Sequence, residues 1–155
     1  MKKEIRSSID ISNPSEELFA YLLSFNPASV LGELWFMPEA DTTFFKKVST
    51  KIGSEKMIYF KDDSTAVYQL FDFVDGTSFS VHIGDFSSDR LKFLDAMRCH
   101  YSFSKSKSGL IKAELCFEFK INSRLWTLLF DFLFLRKLQK RLDKVLAEGV
   151  KEIMN

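Results

Sequence analysis

Residues 109–154 read GLIKAELCFEFKINSRLWTLLFDFLFLRKLQKRLDKVLAEGVKEIM, and two different periods meet inside them. In the first part Ile111, Ala113, Leu115, Phe117, Phe119 and Ile121 recur at every second position, opposite Lys112, Glu114, Glu118 and Lys120. That alternation predicts a long strand with one wet face and one covered face. After Ser123 the spacing changes to threes and fours, through Leu125, Leu128, Phe132, Leu135, Leu138, Leu142, Val145 or Leu146, Val150 and Ile153. This predicts a helix from Ser123 to about Met154, about 46 Å long at about 1.5 Å per residue, enough to cross the concave side of a curved sheet. Its first half also carries Trp126, Leu129, Phe130, Leu133 and Phe134, so it is apolar nearly all round and is expected to be enclosed on several sides. From Arg136 onward a wet face bears Lys137, Lys140, Arg141 and Lys144.

Upstream of this stretch the chain reads as strand after strand: Thr43 to Ser49, Lys56 to Phe60, Thr65 to Val74, Thr77 to Asp85, Arg90 to Ser104 and Gly109 to Ile121. The connections are short and turn-like, and Asp75-Gly76 suits a tight two-residue hairpin. Short connections favour antiparallel neighbours and leave no room for crossover helices. A register centred on Lys107 sets Phe103 against Ile111 and Cys99 against Leu115. Cys116 then lies on the face opposite Cys99, so the two are expected to remain free thiols.

At the start of the chain Ile5, Ser7, Ile9 and Ile11 share one side of a further strand. Asn13-Pro14-Ser15-Glu16 then supplies a cap, a first-turn proline and an acid three residues after the cap, opening a helix that runs to about Leu23. Asn26-Pro27 repeats that logic for a short helix ending between Gly32 and Trp35. The order is strand, two short helices, six strands and a long helix. It predicts an α+β architecture, a seven-stranded curved antiparallel sheet around the C-terminal helix. With no repeat or linker in its 155 residues, the chain is expected to be one domain over 1–155.

This order resembles the helix-grip fold of the START and Bet v 1-like (SRPBCC) superfamily, in particular its polyketide cyclase and dehydrase-like branch. Ile9-Asp10-Ile11-Ser12-Asn13-Pro14-Ser15-Glu16-Glu17-Leu18-Phe19 is similar to the superfamily's first strand running into its first helix, and Trp35-Phe36-Met37-Pro38 to the junction after the second helix. The resemblance implies a cavity between the long helix, the small helices and the sheet. Relatives use it for lipids, sterols, hormones, quinones or polyketide intermediates, and some catalyse cyclisation or dehydration. The glycine-rich loop of the plant branch has no counterpart here.

Composition narrows the function classes. Lys and Arg total 22 against 21 Asp and Glu, and that balance lacks the basic surplus of a nucleic-acid binder, so no nucleic-acid partner is expected. Glu4, Arg6 and Asp10 interrupt the apolar run that an export signal needs, and Leu125 to Leu135 is too short to span a bilayer, so the cytoplasm is the expected location. His82 and His100 are out of phase with the apolar faces of their strands and no metal-ligand motif occurs, so neither a metal nor another cofactor is expected.

The 17 phenylalanines fill either a wide core or a pocket. The covered faces supply the candidate cavity lining: Tyr68 on one strand, Phe79, Val81 and Ile83 on the next, then Met97 and Phe103, then Leu115, Phe117 and Phe119, with Trp126, Leu129, Phe130 and Phe134 from the helix. Strict alternation through Phe93, Asp95, Met97 and Cys99 sets the Asp95 carboxylate on the covered face, unless a bulge turns it out. Asp95 and Tyr101 are the candidate catalytic proton handlers. Three readings stay open: a carrier of a lipid, isoprenoid or polyketide-like molecule, a cofactor-free cyclase or dehydratase, and a protein interaction module with a filled cavity. The basic stripe at Arg136, Lys137, Lys140, Arg141 and Lys144 is a solvated face, a site of transient contact with an anionic membrane, or a site for a protein partner. The sequence sets no oligomeric state.

Overall fold

A computed structural model describes residues 1–12, 15–34, 37–41 and 49–154. The first strand, β1 (Lys2–Ile11), is followed by helix α1 (Glu16–Ser24) and a 3-10 segment (Pro27–Glu33). Then come β2 (Glu55–Tyr59), β3 (Thr65–Val74), β4 (Ser78–Gly84), β5 (Leu94–Lys105) and β6 (Ile111–Ile121). The C-terminal helix has three parts: α2 (Arg124–Leu129), a π-helical turn (Phe130–Phe134) and α3 (Leu135–Met154). The strands form one antiparallel sheet in the order β1-β6-β5-β4-β3-β2, so the first strand closes onto the last. This is the helix-grip fold, a curved antiparallel sheet wrapping a long C-terminal helix, with two short helical segments after β1.

The local signals explain these elements. Asn26 accepts a hydrogen bond from the Ala28 amide at 3.1 Å, with Pro27 in the first turn, as its cap position requires. Ser123 caps α2 through the Trp126 amide. Six strands lie among the described residues. The expected strand Thr43 to Ser49 falls largely on 42–48, outside them, as do Asn13-Pro14 and Trp35-Phe36. Ahead of that segment Asp41 still donates to the Tyr59 carbonyl at 2.7 Å, beside an Ala40–Phe60 bridge.

Several expectations are corrected. Asp75-Gly76 belongs to a turn one residue longer than the two-residue hairpin: Val74 pairs with Ser78, and the Thr77 amide donates to the Val74 carbonyl at 3.0 Å. Gly76 supplies the single positive φ, +70°, while Asp75 stays out of the left-handed region that a type I′ turn demands. The strand expected from Arg90 begins at Leu94, because Asp89–Leu91 form a 3-10 turn capped by Ser88. The β5–β6 register is displaced by two residues: Cys99 faces Phe117, Phe103 faces Ala113 and Lys105 faces Ile111. The longer turn, with Gly109 at φ +85° and its amide on the Ser106 carbonyl, accounts for the displacement. A shift of two leaves every side chain on its face. Cys99 is therefore buried on the inner side, Cys116 is half-buried on the outer side, and both thiols are free.

The helix phase also departs from expectation. Leu138, Leu142, Val145 and Leu146 are buried, as the spacing predicts, but the π turn puts one extra residue into the helix ahead of them. Its inward residues are Thr127, Phe130 and Phe134, whereas Leu125, Leu128, Phe132 and Leu133 stand in solvent. The first half of the helix is thus not enclosed on several sides. On β1, Ser7 donates to Asp143 of α3 at 2.5 Å, and Gln139 donates to the same carboxylate at 3.1 Å.

Helix α1 crosses α3 where Gly149 leaves no Cβ in the way. An added methyl would stand 2.8 Å from Tyr21 Cδ1 and 2.9 Å from Leu18 Cδ1, and Leu18 is fully buried. Alanine gains about 1 kcal/mol over glycine in a helix interior, but overpacking costs about 1–3 kcal/mol. Gly149→Ala is therefore expected to lower stability by a net amount of about 1 kcal/mol in urea unfolding; a more stable variant would show that α1 yields freely.

Candidate functional site

The inner face of the sheet is built in rows that run across the strands. One row joins Leu70, Val81, Cys99, Phe117 and Ile5, and the next joins Tyr68, Ile83, Met97 and Phe119. A third joins Phe79, Tyr101, Leu115 and Ser7. Because pleating sends alternate side chains to opposite sides, all of these point toward the helix. Phe79 and Tyr101 stack with ring centroids 4.1 Å apart, and Phe117 meets the Tyr101 ring edge-on at 5.8 Å. From the helix, Phe130 lies 5.1 Å from Phe119 and 6.0 Å from Phe134.

The structure therefore brings most of the expected lining together. Tyr68, Phe79, Val81, Ile83, Met97, Phe103, Leu115, Phe117, Phe119, Phe130 and Phe134 are all buried in one apolar cluster. Trp126 and Leu129 are half-buried at its edge, and Trp126 stacks on Phe93 at 4.3 Å. One contributor escaped the sequence reading, and a second was legible only in part. Phe19 of α1 meets Phe73, Phe79 and Phe103 edge-on at 5.9, 5.3 and 5.6 Å, which no spacing along the chain reveals. Cys99 was legible as inward-facing, but only the observed rows put it between the two tyrosines.

Asp95 requires a correction. The β5–β6 register breaks between Leu94 and Ala96, and this bulge turns Asp95 to the outer face, where it is exposed and accepts a hydrogen bond from Asn122 Nδ2 at 2.8 Å. It borders a polar surface depression of about 270 Å³ with Lys2, His82, Arg98, Glu118 and Lys120. An extra residue breaks the alternation on which the inward placement rested. His82 and His100 also lie on the outer side, His100 with its Nδ1 2.5 Å from Ser80 Oγ. Desolvation, and then the neighbouring Arg98, hold the His82 pKa below its ordinary value. Among the described residues no three His, Cys, Asp or Glu side chains gather in a metal-binding group.

The polar chemistry of the inner rows rests on three weak acids, Tyr68, Cys99 and Tyr101. Burial pushes all three above their usual ranges, and the Cys99 sulfur adds to the effect on both phenols. At neutral pH they are uncharged. A phenol in this state donates a hydrogen bond, and the thiol is a weak donor. Cys116 on the outer side is pushed up to about 11, first by desolvation and then by Glu4.

No protein-family model matches the chain, and no curated protein matches it. Among solved structures it is similar to TTHA0849 from Thermus thermophilus, with a TM-score of 0.56 and 13% identity over 97% of this chain and 95% of that one. It is similar to a protein from Nitrosospira multiformis, with a TM-score of 0.53 and 12% identity over 99% of this chain and 100% of that one. A third likeness is to Ara h 8.0201, with a TM-score of 0.52 and 9% identity over 96% of this chain and 99% of that one. At these identities the likeness is one of fold.

The buried acids give a pH dependence whose sign follows from linkage. The folded pKa values lie above the unfolded ones, so the stabilisation is complete below the unfolded values and is lost as pH rises through the folded ones. Urea midpoints are expected to fall from about pH 8.5, where an unfolded thiol ionises, and more steeply above about pH 10, where the phenols do. Tyr68→Phe with Tyr101→Phe should flatten the upper part of that curve. An unchanged slope in the double variant would show that neither phenol is protected.

Proposed function

We propose that the chain binds and carries a hydrophobic small molecule, of lipid, isoprenoid or polyketide-like character, between the inner face of the sheet and the C-terminal helix. One observation carries this reading: the inner rows present aromatic and aliphatic surface interrupted by a cluster of uncharged donors, Tyr68, Cys99 and Tyr101. Such a lining suits an apolar body with one oxygen-bearing group, since the rings give area and a phenol satisfies the single polar atom. The helix-grip architecture supports it as well, because it sets one continuous concave face against one helix.

The alternative of a cyclase or dehydratase needs a group that takes up a proton beside the substrate. Tyr101 is positioned to donate a hydrogen bond, but burial keeps its phenol protonated and so unable to take up a proton, and the bulge turns Asp95 to the opposite side of the sheet. Carriage asks nothing further of these residues.

Native mass spectrometry of gently purified protein, with organic extraction of whatever travels with it, tests the proposal. A stoichiometric adduct that disappears on denaturation is expected. Apo protein that also gains no mass across a broad lipid and aromatic screen would overturn it. For a ligand bearing a carbonyl or hydroxyl, removing one phenol in Tyr68→Phe or Tyr101→Phe is expected to weaken binding by about five- to tenfold, with a pure hydrocarbon unaffected.

A further inference from the structure

The exposed residues of the C-terminal helix form an ordered surface. Leu125, Leu128, Phe132 and Leu133 are 64, 57, 82 and 57% exposed. Leu125, Leu128 and Phe132 fall at steps of three and four with Leu133 adjacent, and the same spacing continues from Phe132 into Arg136 and Lys140, and from Leu133 into Lys137. The stripe therefore begins apolar and ends basic. Arg124 adds a cation at its other end, and among the described residues none of these four cations forms an ion pair. Asp131, the one acid in this part of the helix, is neutralised by Lys3 of β1 at 2.7 Å.

The patch cannot rotate inward, because Phe130 and Phe134 of the same turn are locked into the core against Phe119. Four large apolar side chains on one short helical face are more than the scattered exposure ordinary to a surface. A second copy of the chain is a poor occupant, since a two-fold contact would bring both sets of cations together.

We propose that α2 and the π turn dock on the anionic surface of a lipid bilayer. Leu125, Leu128, Phe132 and Leu133 enter the headgroup and acyl boundary, while Arg124, Arg136, Lys137 and Lys140 face lipid phosphates. The helix lies along the surface rather than through it, since no helix among the described residues is long and apolar enough to cross a membrane. Anionic lipid attracts such cations only within about a Debye length, about 10 Å at 0.1 M salt, so both halves of the stripe are needed and salt releases the protein. The docking stands whether or not the interior holds a ligand.

Co-sedimentation of the full chain with phosphatidylcholine vesicles, with and without phosphatidylglycerol, is the test. Binding to the anionic vesicles is expected, about tenfold weaker to phosphatidylcholine alone and weakened by added salt. Leu128→Ser with Phe132→Ser, and separately Arg136→Glu with Lys137→Glu, should each reduce binding about tenfold while the thermal melt is unchanged, since these side chains support no core. Failure of the wild-type chain to sediment with anionic vesicles, or binding by both variants as tight as that of the wild-type chain, would overturn the proposal. So would a concentration-dependent dimer in analytical ultracentrifugation that Phe132→Ser abolishes, which would assign the patch to a second copy.

Discussion

Everything in this fold depends on one requirement: a sheet with a single apolar face must find a single cover. The rows that run from β3 to β1 present that face, and α3 closes it with Leu138, Leu142, Val145 and Leu146. Area alone would let the helix slide along the trough, since apolar burial is not directional. Direction comes from the Ser7–Asp143–Gln139 contacts and from the missing side chain at Gly149, which together set the helix on β1 and α1. The small helical segments then close one end, Phe19 reaching the rings of β3, β4 and β5.

Those parts of the fold that repeat were legible in the sequence. Period two along β5 and β6 identified the inner residues even though the register was displaced by two, because pairing errors of even length preserve the faces. Asn26-Pro27 and Ser123 marked real helix starts for the reason capping residues usually do: their side chains accept from amides that a helix leaves unpaired. What periodicity cannot show is a single added residue. The bulge beside Asp95 and the π turn at Phe130–Phe134 each insert one: the bulge reverses the sidedness of the strand residue beside it, and the π turn offsets α2 by about 100° from a continuous helix. Asp95 thereby exchanged the interior for the surface, and Leu125, Leu128 and Phe132, expected on the covered stripe, stand in solvent.

The chemistry of the interior follows from what burial permits. An ionised carboxylate there would demand a partner, whereas phenols and a thiol remain neutral and need only a hydrogen-bond acceptor or a tolerant neighbour. Tyr68, Cys99 and Tyr101 therefore bring polarity into the core without bringing charge. The charged groups of the same strands, Arg98, Glu118 and Lys120, lie around the outer depression. One sheet thus separates two environments across the thickness of a single backbone.

The π turn decouples chain length from surface character. A π turn takes up one residue more than an α turn over the same rotation. Removing one residue between Phe130 and Phe134 would therefore restore continuous α geometry with α2 still facing as it does now, Thr127 toward the core and Leu125 and Leu128 toward solvent. Straightening the turn at full length would instead rotate α2 by about 100° relative to α3, the angle per residue at 3.6 residues per turn. The turn is thus a register device: it absorbs a surplus residue so that the outward-facing apolar edge, the sheet and the seat of α3 all keep their orientation.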